Sequence, residues 1–318
     1  MTVTEDTQAT LLLCARLSQQ EENGAKTLQA REYAVLAKWL KEHELQPGDL
    51  LHAPGRARLA GMESNGIALE RLESLLDRGA ALGLLLEQWE GRGLWVVSLG
   101  DPEYPSRYVS YMENDAPPLL YGIGSQRALR GSGLAIVGSR DASEEDLAFA
   151  RDLGARCARQ GIPVISGAAK GIDSEAMMAG LEEGGHAVGV LAEGLGRASV
   201  APQYRDAIIS GRLTLISAYE PDSHWFAFKA MGRNKMIYAL ADAAVVVSSS
   251  DQSGGTWAGA TEALKRGRVP VYVKSTGAAS KGNEKLMRAG AQPLLPSDWE
   301  DLPRLVSNPA PTAGLFQQ

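Results

Sequence analysis

Two short segments combine glycine, a hydroxyl and a base within a few residues: Gly138, Ser139 and Arg140, then Ser166 and Gly167 followed by Lys170. Small residues let backbone N–H groups approach a ligand, and the two bases add mobile positive charge. That is the chemistry of phosphate binding. A dinucleotide site would need G-x-G-x-x-G at the first turn and an acid roughly 20 residues on. Here the first turn holds one glycine, and Ser166 and Gly167 stand where the acid would be. A Walker sequence ending in Gly-Lys-Ser/Thr is absent. What remains is a ligand with several phosphates, or a nucleic-acid backbone. A rival account pairs Arg140 with a nearby carboxylate and leaves Lys170 solvated.

Both segments end short apolar runs, at 134–137 and 164–165, with a helix-like stretch between them. This is the pattern of a βαβ unit. Further strands are expected at 94–98, 187–192, 213–218, 243–248 and 269–273. Helices are expected at 143–160, 174–184, 201–211, 231–241, 256–267 and 283–289. The alternation predicts an α/β fold built on a doubly wound parallel sheet. Parallel strands send their C-terminal turns to one edge. That edge gathers 139–140, 166–173, 193–197, 219–234 and 248–256, a set rich in Gly, Ser, Thr, Arg and Lys. Trp225, Phe226 and Phe228 lie in it. Bases mixed with aromatics suit single-stranded nucleic acid, where phosphates meet charge and bases stack. The aromatics could equally be core residues at a helix start.

No catalytic constellation stands out. The four histidines, His43, His52, His186 and His224, have no metal-ligand spacing, and no cofactor is expected. Asp173 and Glu175 read as stabilisers of a helix N-terminus. Ser253, Gly254, Gly255 and Thr256 open a helix that carries Glu262, an arrangement that could matter to an enzyme.

Residues 1–90 read as helical, with amphipathic stretches at 28–43 and 67–77 and a break at Pro47 and Gly48. A helical domain over 1–90, a sheet domain over 91–300 and a disordered tail over 301–318 are expected. The segment 101–124, rich in Tyr and Pro, is expected to run extended. Two cysteines in helical contexts, no basic-then-apolar leader and no apolar run of membrane length suggest a cytoplasmic chain without membrane contact. The net charge of −6 argues against nucleic acid until its distribution is considered. Residues 1–90 hold 14 acidic and 9 basic side chains, whereas 223–290 hold 10 basic and 4 acidic.

Taken in order, these motifs resemble the bacterial DNA-processing protein A family (DprA, also called Smf). They are DPEYP and APPLLYGIG within 101–124, AIVGSR at 135–140, SGAAKGID at 166–173 and AEGLGR at 192–197. FKAMGRNKMIYALAD at 228–242, SGGTWAGATEALKRGR at 253–268 and GNEKLMRAGA at 282–291 complete the set. The resemblance implies an extended Rossmann fold, usually dimeric, that binds and protects incoming single-stranded DNA and hands it to the recombinase RecA in natural transformation. By motif it also implies DNA contacts from Ser139, Arg140, Gly167, Lys170, Arg233, Asn234 and Lys235, with Gly254, Gly255 and Thr256 as an additional loop. The chain departs from the family at Ala168, where Leu is usual, at Lys235, where a second Arg is usual, and at Gly254, Gly255 and Thr256. The winged-helix domain that many members append is expected to be missing, since a short tail follows Trp299. The alternative in the same superfamily is a nucleotide-ligand sensor or a phosphoribohydrolase of the "lonely guy" type. Its catalytic glutamate would correspond to Glu262, which lies one residue too far along.

Overall fold

Helical periodicity dominates the first 90 residues, and the computed structural model follows it; the structure describes residues 3–17, 25–196, 201–277 and 280–307. The chain divides into two units. One comprises the described residues up to Ile123 with Ala218–Pro221, the other Gly124–Ser217 with the described residues from Asp222 onward.

The first unit opens with α1 (Glu5–Cys14), capped by the Thr4 hydroxyl accepting from the Thr7 amide. Then come α2 (Ala30–Glu42), α3 (Ala53–Arg58) between 3-10 turns at Pro47–Leu51 and Leu59–Asn65, α4 (Leu69–Leu76) and α5 (Gly79–Gly91). Tyr33, Leu36 and Leu40 form the buried stripe of α2, as their i, i+3, i+7 spacing requires. An antiparallel hairpin follows, β1 (Trp95–Ser98) and β2 (Leu119–Ile123), with Trp95 opposite Gly122 and Ser98 opposite Leu119. Between them α6 (Ser106–Met112) replaces part of the extended run expected over 101–124. The hairpin belongs with the helices for a physical reason. Thr7 donates to the Ser98 hydroxyl at 2.8 Å, and Asp101 accepts from Thr4 at 2.7 Å and from the Ser98 amide at 2.7 Å. The units therefore part between residues 123 and 124, not at the expected 90/91.

The second unit alternates strand and helix: β3 (Leu134–Val137), α7 (Glu144–Arg159), β4 (Val164–Ser166), α8 (Ile172–Glu182) and β5 (Ala187–Val190). It continues with α9 (Pro202–Ile209), β6 (Leu213–Ser217), α10 (Ala227–Leu240), β7 (Ala243–Val246) and α11 (Gly254–Arg266). It ends with β8 (Val271–Lys274), α12 (Lys281–Arg288), β9 (Gln292–Leu294), α13 (Pro296–Glu300) and α14 (Leu302–Ser307). Within this unit the strands run in the order β6-β5-β4-β3-β7-β8-β9, all parallel. The doubly wound sheet read from the sequence is present. β3 to β7 are buried along their whole length, which is why their sequences are apolar without alternation.

The chain winds outward from β3 through β4, β5 and β6, then returns to pair β7 against the other side of β3. This reversal makes a crevice beyond the C-terminal ends of β3 and β7. The tail expected to be disordered from 301 is helical over Leu302–Ser307, because Leu302 and Leu305 are buried and Gln160 accepts from the Leu302 amide at 2.9 Å. Residues 308–318 of that expectation, and Arg197 of the AEGLGR motif, lie outside the described residues. Among the described residues no helix is long and apolar enough to cross a membrane.

Candidate nucleic-acid interface

The crevice at the β3/β7 reversal is an open cleft of about 620 Å³. Its floor and sides come from four places: the turn after β3 (Gly138, Ser139, Arg140), the loop after β7 with the first turn of α11 (Ser250 and Gln252 to Ala258), one face of α10 with Trp225 just before it, and Ala169 and Asp173 after β4. Thr256 fastens the second to the first by donating its hydroxyl to the Gly138 carbonyl at 2.9 Å. Asn234 fastens the third to the second, donating to the Gly255 carbonyl at 2.8 Å. Ser139, Arg140, Arg233, Asn234, Gly254, Gly255 and Thr256 all line this cleft.

Their roles within it divide. Arg140 is exposed, and among the described residues no carboxylate pairs with it. Its guanidinium lies instead over the Trp225 ring, 5.1 Å from the centroid. Stacking of this kind holds a planar guanidinium while leaving its edge donors available to an anion. The ion pair of the rival account is not formed. Lys170 is likewise exposed on the turn after β4, and it is not among the residues that line the cleft.

Arg233 and Lys235 differ from the expectation. Successive residues of a helix point about 100° apart, so Arg233, Asn234 and Lys235 fan around α10 rather than facing one ligand. Arg233 is 4% exposed, donates to the Val190 carbonyl at 2.8 Å, and lies 3.9 Å from the Asp173 carboxylate. It sits in the middle of α10 rather than opening it. Lys235 turns toward α11 and pairs with Glu262 at 3.3 Å. Gly167 answers to packing: a Cβ there would run into the Arg233 guanidinium.

The amides of the two glycine turns are also engaged. The Gly138 amide donates to Asp173 Oδ1 at 3.3 Å and the Gly167 amide to Oδ2 at 3.2 Å. Burial raises the Asp173 carboxyl above its ordinary range, opposed by Arg233 and by these amides. Asp173 thus does more than stabilise a helix start.

Trp225 lines the cleft, and it and the neighbouring Phe226 and Phe228 are surface residues, not core. Trp225, Phe226 and Phe228 are 44%, 50% and 64% exposed, and Met231 beside them is 55% exposed. The Phe226 and Phe228 rings stack at 5.8 Å with planes 20° apart. Lys229 lies 5.0 Å over the Phe226 ring. The basic excess over 223–290 is partly neutralised in place: Lys274 pairs with Glu145 and Asp146, Lys285 with Asp251, and Arg266 with Glu262. Arg140 and Lys170 are exposed bases on the turns after β3 and β4. Glu262 pairs with Lys235 at 3.3 Å and with Arg266 at 2.9 Å.

A family model described as DNA recombination-mediator protein A matches residues 95–303. A putative DNA processing protein DprA of Mycobacterium tuberculosis is 32% identical over 192 residues, 58% of this chain and 48% of its own length. The DNA processing protein DprA of Bacillus subtilis is 25% identical over 228 residues, 69% of this chain and 75% of that protein. The chain thus spans about half the length of the mycobacterial relative. In structure it is similar to DNA processing protein A from Streptococcus pneumoniae, with a TM-score of 0.69 at 21% identity over 92% of this chain and 95% of that one. It is also similar to DNA processing protein A from Helicobacter pylori, whose structure addresses its single-stranded DNA binding mode. There the TM-score is 0.57 at 21% identity, over 67% of this chain and 98% of that one. At such identities the likeness is one of fold.

Proposed function

The chain belongs to the DNA recombination-mediator protein A family, and from that premise we propose that it binds single-stranded DNA in the cleft at the β3/β7 reversal. The observation that carries the reading is Arg140. Its guanidinium is exposed, free of carboxylates among the described residues, and stacked on the half-exposed Trp225. A strand laid across the mouth would place a phosphate at Arg140 and Lys170 and its bases against Trp225, Phe226 and Phe228. Stacking of that kind requires unpaired bases and tolerates any sequence. Ser139 and the Gly254, Gly255 and Thr256 turn would border the same phosphate path. Protection of incoming DNA, delivery to RecA in a cytoplasmic recombination pathway, and action as a homodimer belong to this proposal as its biological setting. No hydrolytic step is part of it.

The test is competition. Labelled oligothymidylate bound to the protein should remain bound when an equal nucleotide amount of unlabelled duplex is added, and should be displaced by unlabelled single strand. Efficient displacement by duplex would remove the stacking argument. A second reading, a free nucleotide as ligand, is favoured by the size of the cleft, which lies within the range of small-molecule sites. Displacement of the oligonucleotide by stoichiometric mononucleotide would select it.

A further inference from the structure

We propose that Asp173 is a positioning residue: it welds the turns after β3 and β4 into one wall of the cleft and takes their backbone amides out of ligand binding. The inference rests on the single-stranded DNA reading only in so far as the wall serves that ligand. Amides at the ends of parallel strands are where an anion ordinarily sits. Here the chain supplies the anion itself. Asp173 is 7% exposed, and its two oxygens each accept from a different turn, Gly138 on one and Gly167 on the other. The Ile172 amide adds a second tie by donating to the Ser139 carbonyl at 3.4 Å. Arg233, anchored on the Val190 carbonyl, lies behind the carboxylate and fixes its side of the pair.

Two consequences follow from this geometry. Phosphate at these two positions is left to side chains, Arg140 first, because the Gly138 and Gly167 amides are already satisfied. The direction in which Arg140 leaves its turn depends on a carboxylate that never meets the DNA. In Asp173→Asn one carboxamide NH₂ would confront a turn amide, donor against donor, and that turn would be released. Burial already disfavours the charged form of Asp173, so loss of its charge need not unfold the protein.

The experiment uses the full chain in two arms. Amide hydrogen exchange of the wild-type protein, followed with and without oligothymidylate, reads Gly138 and Gly167 directly. Both should exchange slowly in the free protein and gain little protection from the oligonucleotide. Fluorescence anisotropy over a salt series then compares wild type with Asp173→Asn. The variant should bind about tenfold more weakly or worse, with an unchanged salt slope, because no phosphate contact has been removed. A role in stability alone would lower the melting temperature and leave the affinity of the folded protein unmoved. Fast exchange at both amides in the free wild type, slowed only by DNA, would overturn the proposal. So would a folded variant of wild-type affinity. If the variant does not fold, the exchange arm decides alone. If the wild type binds no oligothymidylate, the single-stranded DNA reading fails, while the exchange arm still judges Asp173.

Discussion

Arg140 and Arg233 are the same residue type at the same edge of one sheet, and they do opposite things. Arg140 is exposed and stacked on Trp225, whereas Arg233 is buried against Val190 and Asp173. Substitution should separate them. Each phosphate neutralised on a single strand releases counterion worth about 0.7 log units of affinity per log unit of salt. Arg140→Ala should therefore bind all sequences more weakly and show a salt slope shallower by about that amount. Its melting temperature should hardly change, since exposed charges contribute under about 1 kcal/mol. Arg140→Lys should recover only part of the affinity, because a point charge does not reproduce a planar fork that both stacks and donates twice. Anisotropy titrations at several salt concentrations measure the affinities and slopes, and a thermal melt measures the stability. Unchanged affinity and slope in a stable Arg140→Ala protein would remove Arg140 from the site.

Elements were legible in the sequence where burial made them so. Four-residue apolar runs such as LAIV at 134–137 and AAVV at 243–246 are strands because both faces of the sheet are covered. Helix packing left its mark too. α7 and α8 cross where Gly154 brings the backbones together, and a Cβ there would run into the Ala176 carbonyl. Gly154→Ala should cost about 1–3 kcal/mol, the range for overpacking a tight contact, and denaturant melts would register it. A cost near zero would mean that the two helices can separate without loss. The order of the strands was not legible. Nothing local in 134–137 or 243–246 says that β7, rather than a later strand, closes on β3. The sequence gathers the turns at 139–140, 166–173, 193–197, 219–234 and 248–256 at one edge without saying which of them share a cleft, and the structure opens it beyond β3 and β7. Ser250 and Gln252 fall within the expected 248–256 turn but were not singled out as site residues, and Lys170 is not among the residues that line the cleft. The fate of Arg233 and Lys235 was hidden for a related reason, since their partners Val190, Asp173 and Glu262 are brought near only by the fold. The positive φ of Gln252, 51°, marks the loop after β7 as shaped for its place beside the cleft, but no sequence pattern announces it.

For the molecule as a whole, net charge is a poor guide to the ligand. A chain of −6 carries its acidic excess in the first 90 residues and spends much of its later basic excess on internal pairs. What bears on function is the small balance left at one edge of one sheet, beside three surface aromatics. The central claim is that single-stranded DNA lies in this cleft and over these rings. Photocrosslinking tests it most directly: an oligonucleotide substituted with bromodeoxyuridine is bound, irradiated, and the attached peptides are identified by mass spectrometry. Crosslinks should concentrate on Trp225, Phe226 and Phe228, and should fall together in Arg140→Ala. Efficient crosslinking confined to other surfaces, with these three rings unlabelled, would contradict the account.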